Sequence, residues 1–204
     1  MTQKELKIEY DKCKNEFDTI KDEIEKQIVK VENYKGTFYE IEPFSYQRSG
    51  FKQGKLVENM NRIKKTNDLY IYGFNEDNKI VEVKEGIDID NEYYYQFLFY
   101  EKNTLIKSLA FNNGKTLQNI SYYTHIDDLL IKLYSVGRRG GIEEEYSYDQ
   151  RGFLEKITIR QFDRSGNEAS TLFHSFEYNS DGSLKSIIES AMGNDDYSEI
   201  IYSI

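Results

Sequence analysis

The chain has 204 residues, 31% of them charged, and a formal net charge of −9. That balance excludes a general nucleic-acid binder, which needs a cationic footprint, and no run of about 20 apolar residues is present to form a membrane-spanning helix. One Pro, one cysteine (Cys13) and an aromatic fraction of 15%, carried by 18 Tyr and 12 Phe, exclude a disordered linker, an internal disulfide and a cysteine-rich zinc site.

A chain of this length supports one substantial core with an appendage. The expected fold is mainly β with one long N-terminal helix: residues 1–34 form an amphipathic helix, and residues 35–204 an antiparallel β-meander of hairpins, its sheet twisted or half-closed. Leu6, Tyr10, Cys13, Phe17, Ile20, Ile24, Ile28 and Val31 recur at steps of three and four, which puts them on one stripe. The stripe would dock on the sheet of its own chain, or pair two copies as a homodimer. Cys13, on that stripe, reads as a buried structural thiol.

Beyond Gly36 the period changes. Thr37–Glu42 reads as a strand stopped by Pro43, Phe44–Gly54 as a turn, and Lys55–Lys65 fits either helix or strand. From Leu69 strand follows strand. Tyr93, Tyr95, Phe97 and Phe99 on one side, and Tyr94, Leu98 and Tyr100 on the other, predict a central strand covered on both faces. Asn113-Gly114 predicts a type I′ hairpin turn. Leu117–Tyr123 and Leu129–Tyr134 are further strands, although Ile126–Leu133 would also suit a helical turn. Gly137–Gly141 is a loop. Ile200–Ile204 is a closing strand, and deleting Tyr197–Ile204 is expected to cost solubility.

One local pattern recurs. Phe74-Asn75, Tyr100-Glu101, Tyr148-Asp149, Phe162-Asp163 and Tyr178-Asn179 each lead into a polar reversal, and Gly152, Gly166, Gly182 or Asn78 supplies a residue tolerant of positive φ. The segment Tyr148-Asp149-Gln150-Arg151-Gly152-Phe153-Leu154, with Tyr178-Asn179-Ser180-Asp181-Gly182-Ser183-Leu184 less closely, resembles the YD repeats of Rhs-type bacterial proteins over about a quarter of the chain. The resemblance implies meandering sheets in which the Tyr-Asp pair serves the turn. It also implies an association with systems that carry toxin–immunity pairs.

Catalytic signatures are absent from the sequence. There is no phosphate-cradling glycine loop, no Gly-x-Ser-x-Gly and no His-Glu-x-x-His. His174 shares a strand face with Leu172, Phe176 and Tyr178 and reads as packed, and His125 stands alone. Asp88, Asp90 and Glu92 alternate but lack the glycine and distal Glu of a calcium loop. No cofactor or metal is expected. The N-terminus is charged from Lys4 and carries no apolar leader, so the expected compartment is the cytoplasm. The leading expectation is a non-enzymatic protein-binding module, an immunity-type inhibitor of a bacterial toxin, whose partner is a basic protein domain and neither nucleic acid nor membrane. The expected contact set is Tyr93, Tyr95, Tyr122, Tyr123, Glu143, Glu144, Glu145, Asp195 and Asp196, rigid rings beside negative charge. The alternatives are a carbohydrate- or cell-surface-binding YD-like module and, third, a glycoside hydrolase using an acid pair.

Overall fold

The structure, a computed structural model, describes residues 3–60, 63 and 65–203. Helices α1 (Gln3–Cys13) and α2 (Phe17–Glu25) come first, then strand β1 (Lys30–Lys35), the one-turn helix α3 (Ser45–Arg48) and the two-residue strand β2 (Lys55–Leu56). The rest is strand after strand: β3 (Leu69–Phe74), β4 (Ile80–Gly86), β5 (Tyr93–Glu101), β6 (Thr104–Phe111), β7 (Leu117–Ile126), β8 (Leu129–Gly137), β9 (Gly140–Tyr148), β10 (Leu154–Asp163), β11 (Leu172–Tyr178), β12 (Leu184–Ala191) and β13 (Asn194–Ser203). All belong to one thirteen-stranded antiparallel sheet in the order β13-β12-β11-β10-β9-β8-β7-β6-β5-β4-β3-β1-β2. β13 and β2 end that order, so the sheet is not closed.

The meander follows from one reversal used five times. At Asn75, Asn112, Asp149, Asp163 and Asn179 the backbone N–H donates to the carbonyl four residues on, while the carbonyl accepts from the N–H three residues on. The residue at that third position has positive φ in every copy: Asn78 +57, Lys115 +59, Gly152 +82, Gly166 +85 and Gly182 +84. In four copies the Asx side-chain oxygen also accepts the N–H of the residue four places on, as from Lys79, Thr116, Phe153 and Asn167. An aromatic residue precedes each copy. Its hydroxyl can lap the neighbouring strand: Tyr148 donates to the carbonyl of Leu130, and Tyr178 to that of Leu154, both at 2.8 Å.

Two turns differ from expectation. Asn113-Gly114 does not make a type I′ turn, because Asn112 starts the Asx reversal one residue earlier and gives the positive φ to Lys115. The adjacent pair of positive φ values falls instead on Asp127 (+49) and Asp128 (+64), where a helical turn was the alternative. Tyr100-Glu101 is not a copy of the reversal either, since its tight turn pairs Glu101 directly with Thr104.

Gly152 isolates the backbone contribution. No atom lies within 4 Å of the position a Cβ would take there, so Gly152→Ala adds strain without a clash. We expect a loss of about 1–2 kcal/mol, read as a fall in Tm, whereas Asn78→Gly should move Tm the other way.

The N-terminal helix departs from the continuous rod that the stripe predicts. It breaks at Lys14–Glu16 and ends at Glu25, so residues 26–34 are not helical. A rod over thirty residues would run about 45 Å, and breaking it lets Cys13 (7% exposed) and Phe17 (4%) both bury. Ile28, Val29 and Val31 are β-branched, suit a pleated ribbon better than a helix, and lead into β1, where Val31 is 53% exposed. Thr37–Glu42 is irregular instead of a strand, and Pro43 follows directly. Among the described residues of Lys55–Lys65 only Lys55–Leu56 form a strand, and Asn61, Arg62 and Lys64 lie outside the described residues.

By internal contacts the chain divides into two units. Unit 1 comprises residues 1–39, 53–122 and 136–138; unit 2 comprises 40–52, 123–135 and 139–204. In unit 1 the cross-strand row Glu82–Phe97–Leu109–Ile120 runs over β4 to β7, and Phe17 of α2 sits with its ring 5.0 Å from Tyr95 and 5.2 Å from Phe111. Tyr10 of α1 donates its hydroxyl to the carbonyl of Leu117. The apolar stripe thus docks within its own chain. On β1 and β3, Tyr34 and Tyr72 form an aromatic cluster with Phe38 and Tyr39; Phe38 stacks at 4.1 Å on Tyr34.

Candidate functional site

In unit 2 the strand registers set Tyr146, Ile157, His174 and Glu189 side by side across β9 to β12. Glu144, two residues before Tyr146, shares its face by the period of two. Residues 40–52 lie on this face. Phe44 packs on Phe176 (5.3 Å), and α3 delivers Arg48 between the polar side chains.

Arg48 makes a fork to Glu144, with Nη2 donating to Oε1 at 2.6 Å and Nη1 to Oε2 at 3.1 Å. Both side chains are 11% exposed, so this is a buried pair with bidentate geometry. The third guanidinium donor, Nε, reaches His174 Nδ1 at 3.1 Å. That bond fixes the tautomer. Nδ1 is the acceptor, so Nε2 carries the proton and donates it to Glu189 at 2.9 Å. Tyr146 donates its hydroxyl to Glu144, Tyr197 to Glu189 at 2.7 Å, and Tyr123 to Glu42 at 2.7 Å. Gln47 Nε2 donates to Glu40 at 2.6 Å.

The electrostatics follow from burial and charge. Burial opposes the Arg48 charge, but the adjacent Glu144 carboxylate outweighs it and holds the guanidinium proton above its ordinary affinity. Burial pushes His174 down, with Arg48 adding to the effect and Glu189 opposing it. Burial also raises Glu42, against the hydroxyl of Tyr123, and raises Tyr146, whose neighbour Glu144 acts in the same direction. Glu189 ends below the usual carboxylate range, because the bonds from Tyr197 and His174 outweigh its partial burial. The Nδ1 lone pair of the neutral imidazole is engaged by Arg48 Nε–H and its Nε2–H by Glu189. This cluster holds residues 40–52 on the sheet.

The residues singled out from sequence scatter. Glu143 and Glu145 point to the opposite face from Glu144, where Lys132 (3.1 and 3.6 Å) and Arg160 (2.9 and 3.5 Å) pair with both. Glu144 is 8% exposed and faces inward. Tyr95 lies edge-on to Phe17, and burial raises the Tyr122 hydroxyl to about 12 near Glu9. Tyr123 is 6% exposed. Tyr93 is half-buried, its ring 6.5 Å from that of Tyr95. Asp195 and Asp196 lie on β13, and their side chains are outside the described residues. Arg48 was not singled out. Nothing in the local sequence marks it, since its partners lie 96 and 126 residues on.

Unit 1 has a groove of about 460 Å³ lined by Tyr10, Lys14, Phe17, Lys115, Leu117 and Arg138 among others. Its lysines are engaged, Lys14 with Asp11 at 3.0 Å and Lys115 with Asp18 at 2.6 Å. Glu82, 2% exposed, is held up by burial, against Lys84, whose Nζ is 3.1 Å away. Among the described residues no three His, Cys, Asp or Glu side chains are grouped to hold a metal ion. No described helix is long and apolar enough to cross a membrane. No protein-family model matches the chain, and no characterised protein matches its sequence.

Proposed function

We propose that this chain is a non-enzymatic protein-binding module that blocks a cationic protein domain, as an immunity-type inhibitor of a bacterial toxin does in the cytoplasm. The observation that carries the reading is where the charge falls. Unit 2 holds nine Lys and Arg against seventeen Asp and Glu, while unit 1 holds eighteen against nineteen. Nearly all of the net −9 therefore belongs to one unit. Glu144 and Glu189 are turned inward there, whereas Glu155, Asp163, Glu168, Glu177, Asp181 and Glu199 are exposed. Such a field speeds encounter with a basic partner and disfavours acidic ones. Glu143 and Glu145, already bridged to Lys132 and Arg160, offer carboxylates for which an incoming Arg or Lys would compete. The likeness of the Tyr148–Leu154 turn to YD repeats of toxin-bearing systems adds an analogy.

Co-expression with the product of the adjacent gene tests this. The expected result is restored growth and a purified complex whose Kd weakens at least about tenfold as salt rises from low to high ionic strength. Growth that is not restored, or an affinity indifferent to salt, would overturn the reading.

A further inference from the structure

We propose that His174 is a proton-operated latch: neutral, it holds Arg48 and with it residues 40–52 on the sheet of unit 2, and on protonation it releases them. The geometry supplies the switch. In the neutral state Nδ1 accepts from Arg48 Nε while Nε2–H donates to Glu189. Protonation puts a hydrogen on Nδ1 aimed at another N–H donor 3.1 Å away, on a cation. One of the two must move. His174 is anchored in β11 between β10 and β12 by the ladder, and its bond to Glu189 strengthens once both partners are charged. Arg48 sits on a four-residue helix and is the mobile partner.

The groups that face or adjoin the imidazole come from every packed element. They are Arg48 from α3, Glu144 and Tyr146 from β9, Glu189 from β12, Tyr197 from β13 through Glu189, and Glu42 beside Tyr123. β10 contributes the apolar Ile157 opposite the ring. Glu144 retains the hydroxyl of Tyr146 when Arg48 swings out, so its carboxylate is not left bare.

The sign is set by the direction of the His174 shift. Burial first, then Arg48, put its folded-state value below the ordinary imidazole value, which is about 6.5. The unfolded chain therefore binds the proton more readily. The stability contributed by the neutral ring is complete above about pH 6.5 and is lost as pH falls toward the folded value. Glu42, raised by burial, is the neighbouring carboxyl whose contribution a control must separate from that of the ring.

The test is hydrogen exchange of the amides of Arg48, Ser49, Gly50 and Phe51, which donate to the carbonyls of Phe44, Tyr46, Gln47 and Tyr46. After correction for intrinsic rates, their protection should fall at least about tenfold between pH 7.5 and pH 5 in the intact chain. His174→Asn keeps an acceptor for Arg48 and cannot titrate, so its protection should be flat over that range. Glu42→Gln should keep the wild-type response. Protection that is flat in the wild type, an undiminished response in His174→Asn, or its loss in Glu42→Gln would each overturn the latch. Should His174→Asn fail to fold, ring-nitrogen NMR of the unaltered protein decides. The latch requires the Nε2–H tautomer at pH 7.5 and one midpoint shared by the ring and the amides, and two separate midpoints would refute it.

Discussion

Arg48→Ala is expected to cost about 3–5 kcal/mol of unfolding free energy, the largest loss for any single polar substitution in unit 2. The substitution strips Glu144 of two charge-assisted hydrogen bonds while leaving it 8% exposed, and removes the donor to His174 at the same time. Glu144→Ala should cost a similar amount, because it leaves the guanidinium buried without its carboxylate. The double replacement Arg48→Met with Glu144→Leu should recover most of the loss, since taking two ions out of water nearly offsets their attraction. Denaturant unfolding followed in all three variants checks this. A loss below about 1 kcal/mol for Arg48→Ala would mean that residues 40–52 are held by Phe44 on Phe176 and not by the ion pair.

Local chemistry made the meander legible, and distance hid the site. An Asx residue that hydrogen-bonds its own backbone, with Gly or Asn three places on, needs nothing from the rest of the chain, so Asp149, Asp163 and Asn179 mark their reversals in the sequence alone. Asn112 shows the limit. Asn113-Gly114 is a stronger type I′ signal by residue type, yet Asn112 can start the five-fold repeated turn one residue earlier, and the pairing of β6 with β7 shifts register beside it at Ala110/Phe111. The break in the helix was hidden for another reason. Its stripe continues through Lys14–Glu16 in phase, and only the limited run of sheet beneath it demands a bend. Glu144 reads as one of three solvated acids, whereas the period of two turns it inward, away from Glu143 and Glu145. Its partner Arg48 comes from a stretch without regular period, and no pattern in sequence joins positions 96 residues apart.

Hydrophobic packing in unit 1 is where one apolar truncation should do most damage. Phe97 on β5 is fully buried and central, its ring 5.9 Å from both Phe17 and Phe111 and 6.2 Å from Tyr95. Phe97→Ala empties a volume bounded by α2 on one side and by β4 and β6 on the others, which cannot collapse without pulling the helix off its row. The expected loss is about 3–5 kcal/mol. Tyr94→Ala, three residues away on the same strand but 45% exposed, should stay within about 1 kcal/mol. A double-mutant cycle of Phe17 and Phe97 should return a coupling of about 0.5–1.5 kcal/mol, the increment that tilted aromatic pairs add beyond area. Equal losses at Phe97 and Tyr94, or no coupling to Phe17, would mean that α2 is not seated on this row.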